Sequence, residues 1–119
     1  MDQLLFIETG FGIDVHGQDV TTAAVRAVMD AIHRNSMPGI AGLLPENDLN
    51  NMKVTIRLAV PMDKELLDFD KIRAEIPYGT VVIKVMDGGM VTPSGIVLKE
   101  KNDKNDLMYI VNASVEVGY

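Results

Sequence analysis

The sequence predicts one α+β domain over residues 1–119, a sandwich of a mixed sheet with two helices on one face, in the order β-α-β-α-β-β-β. A length of 119 residues is that of a single domain. Apolar runs of strand length alternate with two stretches of helical period, and no repeat or low-complexity linker divides them. With 47% hydrophobic and 24% charged residues, the composition is that of a globular chain rather than a disordered one.

The first strand and the first helix are predicted from local signals. Residues 4–7 open the strand, and the spaced glycines Gly10 and Gly12 are expected to end it in a turn. Asp19 is a favourable N-cap for a helix over 20–34, because its carboxylate can accept an amide of the first turn. Small apolar residues, most of them alanine, form one stripe of this helix. Such a stripe lets the helix lie close to a sheet.

The rest of the chain is predicted to add a helix and the remaining strands. Period-two alternation over 54–60 indicates a half-buried strand, and a second helix follows over 63–75. Residues 80–86 are apolar on both faces, which is typical of a central strand. Residues 96–100 are expected to form a hairpin with 107–117. The inward side chains of the second helix are predicted to be Leu66, Leu67, Phe69, Ile72 and Ile76.

One flank of the first helix carries more apolar surface than a single sheet face needs. The flank consists of Val25, Met29 and Ile32. We expect it to contact another subunit, so that the chain forms a homo-oligomer. Arg26 lies within the flank, and Asp30, four residues on, is its expected ion-pair partner.

The composition excludes several classes of function. The formal charge is -6, from 17 acidic and 11 basic residues without a basic cluster, which argues against a nucleic-acid partner. The chain has no cysteine, which excludes disulfides and thiol nucleophiles. No apolar stretch approaches the roughly 18 residues of a membrane span, and no basic leader opens the chain. We therefore expect a cytoplasmic protein without a membrane partner, and no motif predicts a cofactor.

The segment between the first strand and the first helix concentrates the chemistry-bearing residues. Asp14 and His16 are two residues apart and would point to one side in extended backbone. A carboxylate beside an imidazole orients the ring and favours its protonated form, so this pair suits general acid-base catalysis. The Gly17 amide and the Gln18 side chain are predicted to bind a ligand oxygen, and Glu8 would add a further ligand-binding group.

Two other interpretations of this segment stay open. In the structural one, Asp14 caps the turn, Asp19 caps the helix and His16 hydrogen-bonds backbone. In the other, Glu8, Asp14, His16 and Asp19 bind a metal ion through oxygen and nitrogen ligands. Zinc normally takes several histidine or cysteine ligands. The second histidine, His33, would lie roughly 20 Å away along the helix, so no metal is predicted within one chain, and a metal shared with a neighbouring subunit stays open.

Two more candidates belong to the third predicted strand and the loop after it. Lys84 is a catalytic candidate, as a base or an electrostatic partner, if it lies in a cleft. A strand lysine that faces solvent is the commoner case. Asp87 is a ligand-binding candidate because it precedes two glycines at a strand end, where loops often contact ligands.

The sequence also resembles a known family. The run from Phe6 to Gly39, FIETGFGIDVHGQDVTTAAVRAVMDAIHRNSMPG, is similar to the signature of a small family of conserved hypothetical proteins, first labelled from a Listeria protein and found in bacteria and fungi. Met52-Lys-Val54 and Ala59-Val-Pro61 are similar too, so the likeness covers nearly the whole chain. The family implies no catalytic residue. The element order resembles the chorismate-mutase-like α+β fold, which implies trimers with ligand sites between subunits.

The sequence thus predicts a homo-oligomeric, small-molecule-binding protein, with a trimer or a multiple of it implied by the fold resemblance. The leading hypothesis is an enzyme that performs acid-base chemistry on a small polar metabolite, cyclic or carbonyl-bearing, with His16 as acid or base and Asp14 as its orienting carboxylate. The alternative is a non-catalytic ligand-binding or structural oligomer in which the same residues stabilise a turn. The position of His16 discriminates between the two.

Overall fold

A computed structural model describes all 119 residues of the chain. The strands are β1 (Leu4–Asp14), β2 (Lys53–Val60), β3 (Thr80–Asp87), β4 (Met90–Pro93) and β5 (Leu107–Gly118). The helices are α1 (Val20–His33), α2 (Ile40–Leu43) and α3 (Phe69–Arg73). The predicted α+β class is confirmed. None of the helices has the length and apolarity that crossing a membrane would require.

The sheet has the strand order β1-β5-β2-β3, and β4 pairs with the first residues of β5. β5 runs antiparallel to both β1 and β2, whereas β2 and β3 are parallel. Helices α1 and α3 pack on one face of this sheet, where alternate side chains of β2 and β5 form the core. Ile56 and Leu58 of β2 and Val111 and Val115 of β5 are fully buried there.

Gly10 and Gly12 lie inside β1, so the prediction that they end the strand in a turn is wrong. Both face α1 at very short range. A Cβ on Gly12 would lie 2.2 Å from the Ala23 carbonyl oxygen and 2.3 Å from the Ala27 amide nitrogen. A Cβ on Gly10 would lie 2.5 Å from the Ala31 amide nitrogen. The two glycines and the alanine stripe therefore serve close strand–helix packing.

Helix α1 agrees with the prediction in both position and cap. It spans Val20–His33, against the predicted 20–34. The Asp19 carboxylate accepts the amides of Thr21 and Thr22 at 3.0 and 3.3 Å. This N-cap satisfies two of the amides that a helix start leaves without partners.

The predicted second helix over 63–75 is interrupted. Residues 64–66 form a 3-10 turn, and Asp68 then caps the short helix α3 by accepting two amides of its first turn. Because Asp68 binds those amides itself, a new helix starts there instead of the old one continuing. Of the predicted inward side chains, Leu67 and Ile72 are buried and Ile76 packs against the core, whereas Leu66 and Phe69 are exposed, which corrects the prediction.

Two strand predictions in the second half are also wrong. β3 is an edge strand rather than a central one, because β2 is its only neighbour. Residues 96–100 form no strand. Instead β4, which was not predicted, pairs with Leu107–Ile110 of β5. The glycine-containing link 88–89 carries the chain from β3 straight into β4.

The face of the sheet opposite α1 carries no helix. Its outward side chains include Ile7 and Phe11 of β1 and Val82 and Met86 of β3, each 44% to 54% exposed. We call the surface formed by the outward side chains of β1, β2, β3 and β5 the open sheet face. The molecule is consequently thin, with extents of 52 × 24 × 19 Å.

Candidate functional site

His16 lies in a tight turn between β1 and α1. Gly17 and Gln18 follow it with φ values of 99° and 48°, both in the left-handed region. Glycine adopts this region freely, whereas Gln18 has to be held there by contacts of its side chain. Those contacts come from the loop of residues 98–107, which packs against the turn. The chain bends at His16 and Gly17, whereas the predicted Asp14–His16 pair requires extended backbone.

The carboxylate partner of His16 is Asp103. His16 Nδ1 lies 2.6 Å from Asp103 Oδ2, and the Asp103 side chain is completely buried while that of His16 is 23% exposed. The same carboxylate accepts the amide of Gly17 at 2.5 Å and that of Leu98 at 2.8 Å. Asp103 therefore connects the turn to the loop through both of its oxygens.

The surroundings of Asp103 favour its ionised form. Burial by itself raises the pKa of the Asp103 carboxyl, but the amide hydrogen bonds from Leu98 and Gly17, together with the His16 ring, outweigh it and hold the pKa below the ordinary value of 3.8. Asp103 is thus a carboxylate at neutral pH, acting as an acceptor only.

This contact fixes the orientation and the tautomer of His16. We assign the proton on Nδ1 to the hydrogen bond with the Asp103 carboxylate, which leaves the lone pair of the neutral ring on Nε2. Nε2 has no partner in the chain, and no buried side-chain nitrogen or oxygen lacks one, so Nε2 reaches solvent. A histidine held by a carboxylate with its second nitrogen free is the arrangement that general acid-base catalysis uses.

Asp14 supports the turn from the other side. Its Oδ2 accepts the Asp19 amide at 2.8 Å, and its Oδ1 lies 3.5 Å from Arg26 Nη1. Arg26 also donates to the Ile13 carbonyl oxygen at 2.7 Å. Asp14 is buried among these partners, with 6% of its surface exposed. The predicted pairing of Asp14 with His16 is replaced by this contact with Arg26.

The expected partner of Arg26, Asp30, binds elsewhere. Its carboxylate contacts Arg34 at 2.8 and 2.9 Å and accepts the amide of Phe11, on the free edge of β1, at 2.9 Å. The hydrogen bond from Phe11, against a smaller opposing effect of burial, lowers the pKa of Asp30, and Arg34 adds to the lowering. The predicted Arg26–Asp30 pair is therefore wrong, and Asp30 instead blocks one amide of an edge strand.

The groups predicted to bind a ligand oxygen are occupied within the chain. Gln18 is buried, its Oε1 accepts the Lys104 amide at 2.9 Å, and its Nε2 donates to the Leu107 carbonyl oxygen at 2.7 Å. The Gly17 amide donates to Asp103. These bonds hold the loop 98–107 against the turn, so neither group is free for a ligand in this arrangement.

The remaining predicted site residues lie away from the turn. Glu8 accepts a hydrogen bond from the Asn35 side chain at 2.6 Å, beyond the far end of α1. Lys84 points to solvent on the open sheet face, and Asp87, at the end of β3, forms an ion pair with Lys64. Two strands separate β1 from β3, which is roughly 14 Å at the usual strand spacing. The structure does not bring these three residues to His16.

The chain contains no group of three or more histidine and acidic side chains placed to share a metal ion. Asp14, His16 and Asp19 each bind a different protein partner. Glu8 lies beyond the other end of α1 from them.

Sequence reasoning misses Asp103, although this residue organises the site. It lies 87 residues after His16, in the polar segment that was interpreted as a plain hairpin connection. That segment contains Glu100, Asp103 and Asp106 among three lysines, and no local signal distinguishes Asp103 from the other two acids. No spacing rule joins this acid to His16.

None of the hollows on the surface is lined by His16. The largest, of about 460 Å³, lies on the open sheet face and is lined by Phe11, Arg57, Met86, Asn112 and others. In a single chain, the free nitrogen of His16 therefore faces open solvent rather than a cavity.

The comparisons with known proteins place the chain in a family. A family model described as conserved hypothetical protein (Lin0512_fam) matches residues 4–117. The chain belongs to this family. It is similar to the crystal structure of an FtsZ-like protein of unknown function from Nostoc punctiforme PCC 73102, with 41% sequence identity and a TM-score of 0.82 over 97% of this chain and 93% of that one. No curated protein matches the chain.

Proposed function

We propose that this Lin0512 family member is a homo-oligomeric, small-molecule-binding protein in which His16 transfers a proton to or from a carbonyl-bearing ligand. One observation carries the proposal: the buried Asp103 carboxylate holds His16 Nδ1 at 2.6 Å, while Nε2 keeps no protein partner. A carboxylate that orients an imidazole in this way prepares its second nitrogen to accept or donate a proton.

The loop beside His16 offers exposed lysine side chains to a small anionic ligand. The loop that supplies Asp103 also carries Lys99, Lys101 and Lys104, all exposed, and the Lys101 carbonyl oxygen lies close to Gly17. The same loop carries Glu100, Asp103 and Asp106, so three lysines stand against three acids and a small carboxylate would bind individual lysine side chains rather than a positive region. A small 2-oxo acid combines this charge with a carbonyl group, next to which an imidazole base can remove a proton.

A homo-oligomer completes the proposal. Because His16 lines no hollow in a single chain, a neighbouring subunit would supply the wall that encloses a ligand and excludes water. We favour a trimer or a multiple of it from the resemblance in fold, and a cytoplasmic location from the composition of the sequence.

Proton exchange on pyruvate tests the chemistry. In deuterated buffer, the methyl protons of pyruvate exchange slowly, and proton NMR follows their loss. We expect the wild type to accelerate exchange above the buffer rate, Asp103→Asn to accelerate it less, and His16→Gln not at all. His33→Gln is the matched control, since His33 is the exposed histidine at the end of α1. Equal acceleration by His16→Gln, or none by the wild type, would reject the proposal.

The second candidate is a non-catalytic oligomer in which Asp103 only fixes the loop. The amide bonds from Gly17 and Leu98 to Asp103 favour it, because they would stabilise the turn without any ligand. In both candidates His16→Gln takes one partner from the buried Asp103 carboxylate and should cost on the order of 1 to 3 kcal/mol of unfolding free energy. The exchange assay separates the candidates, because the non-catalytic oligomer predicts no acceleration of exchange by the wild type.

A further inference from the structure

We infer that the open sheet face binds a second copy of this chain, sheet face against sheet face. The inference rests on the homo-oligomer of the proposed function and adds a two-fold contact to it, which would join two trimers and lies away from His16. The sequence predicts the flank of α1 as the subunit contact instead. That flank is mostly covered, since Val25 and Ile32 pack against the core and Met29 is 36% exposed.

The open sheet face is more apolar than a solvent-facing sheet surface should be. An antiparallel sheet that faces water on one side normally alternates apolar inward and polar outward residues. On the edge strands β1 and β3, the outward Ile7, Phe11, Val82 and Met86 expose 54%, 51%, 48% and 44% of their surface. The outward side chains of the central strands β5 and β2 are mostly polar. Exposed apolar rows on both sides of this polar centre mark an interaction surface.

The shape of the molecule indicates a missing layer. Its radius of gyration is 15.8 Å, whereas a compact domain of this length has about 13.5 Å. Only 23 of 119 residues are buried, because the helices cover one face of the sheet and nothing covers the other. A second sheet packed about 10 Å away would turn this face into an interior.

The face is also large enough for a stable interface. Its four long strands have 8 to 12 residues each. At a spacing of about 4.8 Å and a rise of about 3.4 Å per residue, they present roughly 600 Å² in projection, and protruding side chains add to the accessible area. A standard interface buries about 800 Å² on each partner. The partner is therefore expected to cover the whole face rather than one rim of it.

The charges on this face are compatible with burial against a copy of itself. At the centre, Arg57 Nε lies 2.5 Å from Glu116 Oε1, so these two charges neutralise each other within the chain. Lys53 starts β2 and Lys84 lies on the edge strand β3, so both remain near the rim, where long side chains reach solvent. The centre of the face is thus neutral, as interface cores are, and an isologous contact uses the same patch on both copies.

Light scattering on surface variants tests the interface. The wild type at tens of micromolar should have a mass of two or more times 13.0 kDa. Phe11→Glu and Val82→Glu should weaken the assembly roughly 30-fold or more, because each replaces an exposed apolar side chain of the interface with a charge. Met29→Glu on the α1 flank is the matched control and should keep the wild-type mass. Circular dichroism checks that each variant is folded.

Thiol labelling provides a second readout that does not depend on disrupting the face. The chain has no native cysteine, so Asn112→Cys at the middle of β5 introduces a single thiol on the open sheet face. It should react much more slowly with Ellman's reagent than Ser36→Cys, an exposed control beyond α1. Adding Phe11→Glu should restore fast reaction.

The outcomes separate the interface from the oligomer itself. A wild-type mass of 13.0 kDa overturns both. An assembly that survives Phe11→Glu and Val82→Glu, or that Met29→Glu dissociates, overturns this interface and leaves the homo-oligomer standing. Equal labelling of Asn112→Cys and Ser36→Cys overturns the interface as well. The pyruvate exchange assay reports on His16 independently of all three.

Discussion

Replacing Gly12 with alanine should destabilise the protein strongly, because the added methyl has no room. The new Cβ would lie 2.2 Å from the Ala23 carbonyl oxygen and 2.3 Å from the Ala27 amide nitrogen. Ordinary contacts to a Cβ begin near 3.4 Å, so strand and helix would have to separate by about 1 Å. A gap of that size forfeits a quarter to a half of the dispersion energy of the atoms beside it.

The magnitude follows from these opposing effects. Overpacking a tight core typically costs 1 to 3 kcal/mol, and here backbone rather than a flexible side chain must move, so we expect the upper end, about 3 kcal/mol. Replacing glycine with alanine also reduces the conformational entropy of the unfolded chain, which stabilises the folded protein by only about 0.4 to 1 kcal/mol. At about 4 °C per kcal/mol for this length, the net effect is a fall in Tm of roughly 10 °C.

Thermal and urea unfolding measure this effect, and Gly42→Ala is the matched control. Gly42 lies in α2 with nothing within 4 Å of an added Cβ, so its replacement should stabilise the protein by up to about 1 kcal/mol. Ala23→Gly should not rescue Gly12→Ala, because the clashing atom of Ala23 is its carbonyl oxygen. A Gly12→Ala variant as stable as the wild type would refute the close-packing account of β1 and α1.

Two further predictions concern ionisation. The pKa of Asp103 is lowered in the folded state, so its carboxylate stabilises the protein at pH values above the ordinary pKa of 3.8, and this contribution is lost as the pH falls through the folded value. Asp103→Asn should therefore reduce the decrease of Tm with decreasing pH. An unchanged decrease of Tm in acid would contradict the lowered pKa of Asp103. The pKa of Tyr109 is raised above 10.0 by burial first, then by the hydrogen bond that its hydroxyl donates to Asp63 and by the negative charge of Asp63. The stability that the neutral tyrosine contributes below pH 10 is therefore lost as the pH rises through the folded value. Near-ultraviolet absorbance should show one late-ionising tyrosine that disappears in Tyr109→Phe.

Local signals account for the parts of the fold that could be predicted. Helix α1 has its cap at Asp19 and its alanine stripe within one stretch of sequence, and β2 shows its alternation over 54–60. The sequence predicts a turn at Gly10 and Gly12 because a glycine in the sequence is equally compatible with a turn and with a close contact between two elements. Only the packing of α1 on β1 distinguishes the two cases.

The sequence singles out the turn that holds His16, but it does not identify the carboxylate that contacts this histidine. His16 could be singled out because a histidine between a strand and a helix start is a local feature of the sequence. Its carboxylate comes from Asp103, across 87 residues of chain, and the connection depends on how the loop 98–107 folds back onto the turn. Asp14, the nearer acid, is instead bound to Arg26 of α1.

The position of β5 has a consequence for how the chain acquires its structure during synthesis. β5 lies between β1 and β2 although it follows both by many residues, and its register joins Leu4 to Gly118. Until residues 107–118 have left the ribosome, β1 and β2 each lack the neighbour that holds them in the sheet. Such long-range pairing slows folding and leaves strand edges free to associate with other chains meanwhile. A nascent chain of this family is therefore exposed to aggregation until its fifth strand emerges.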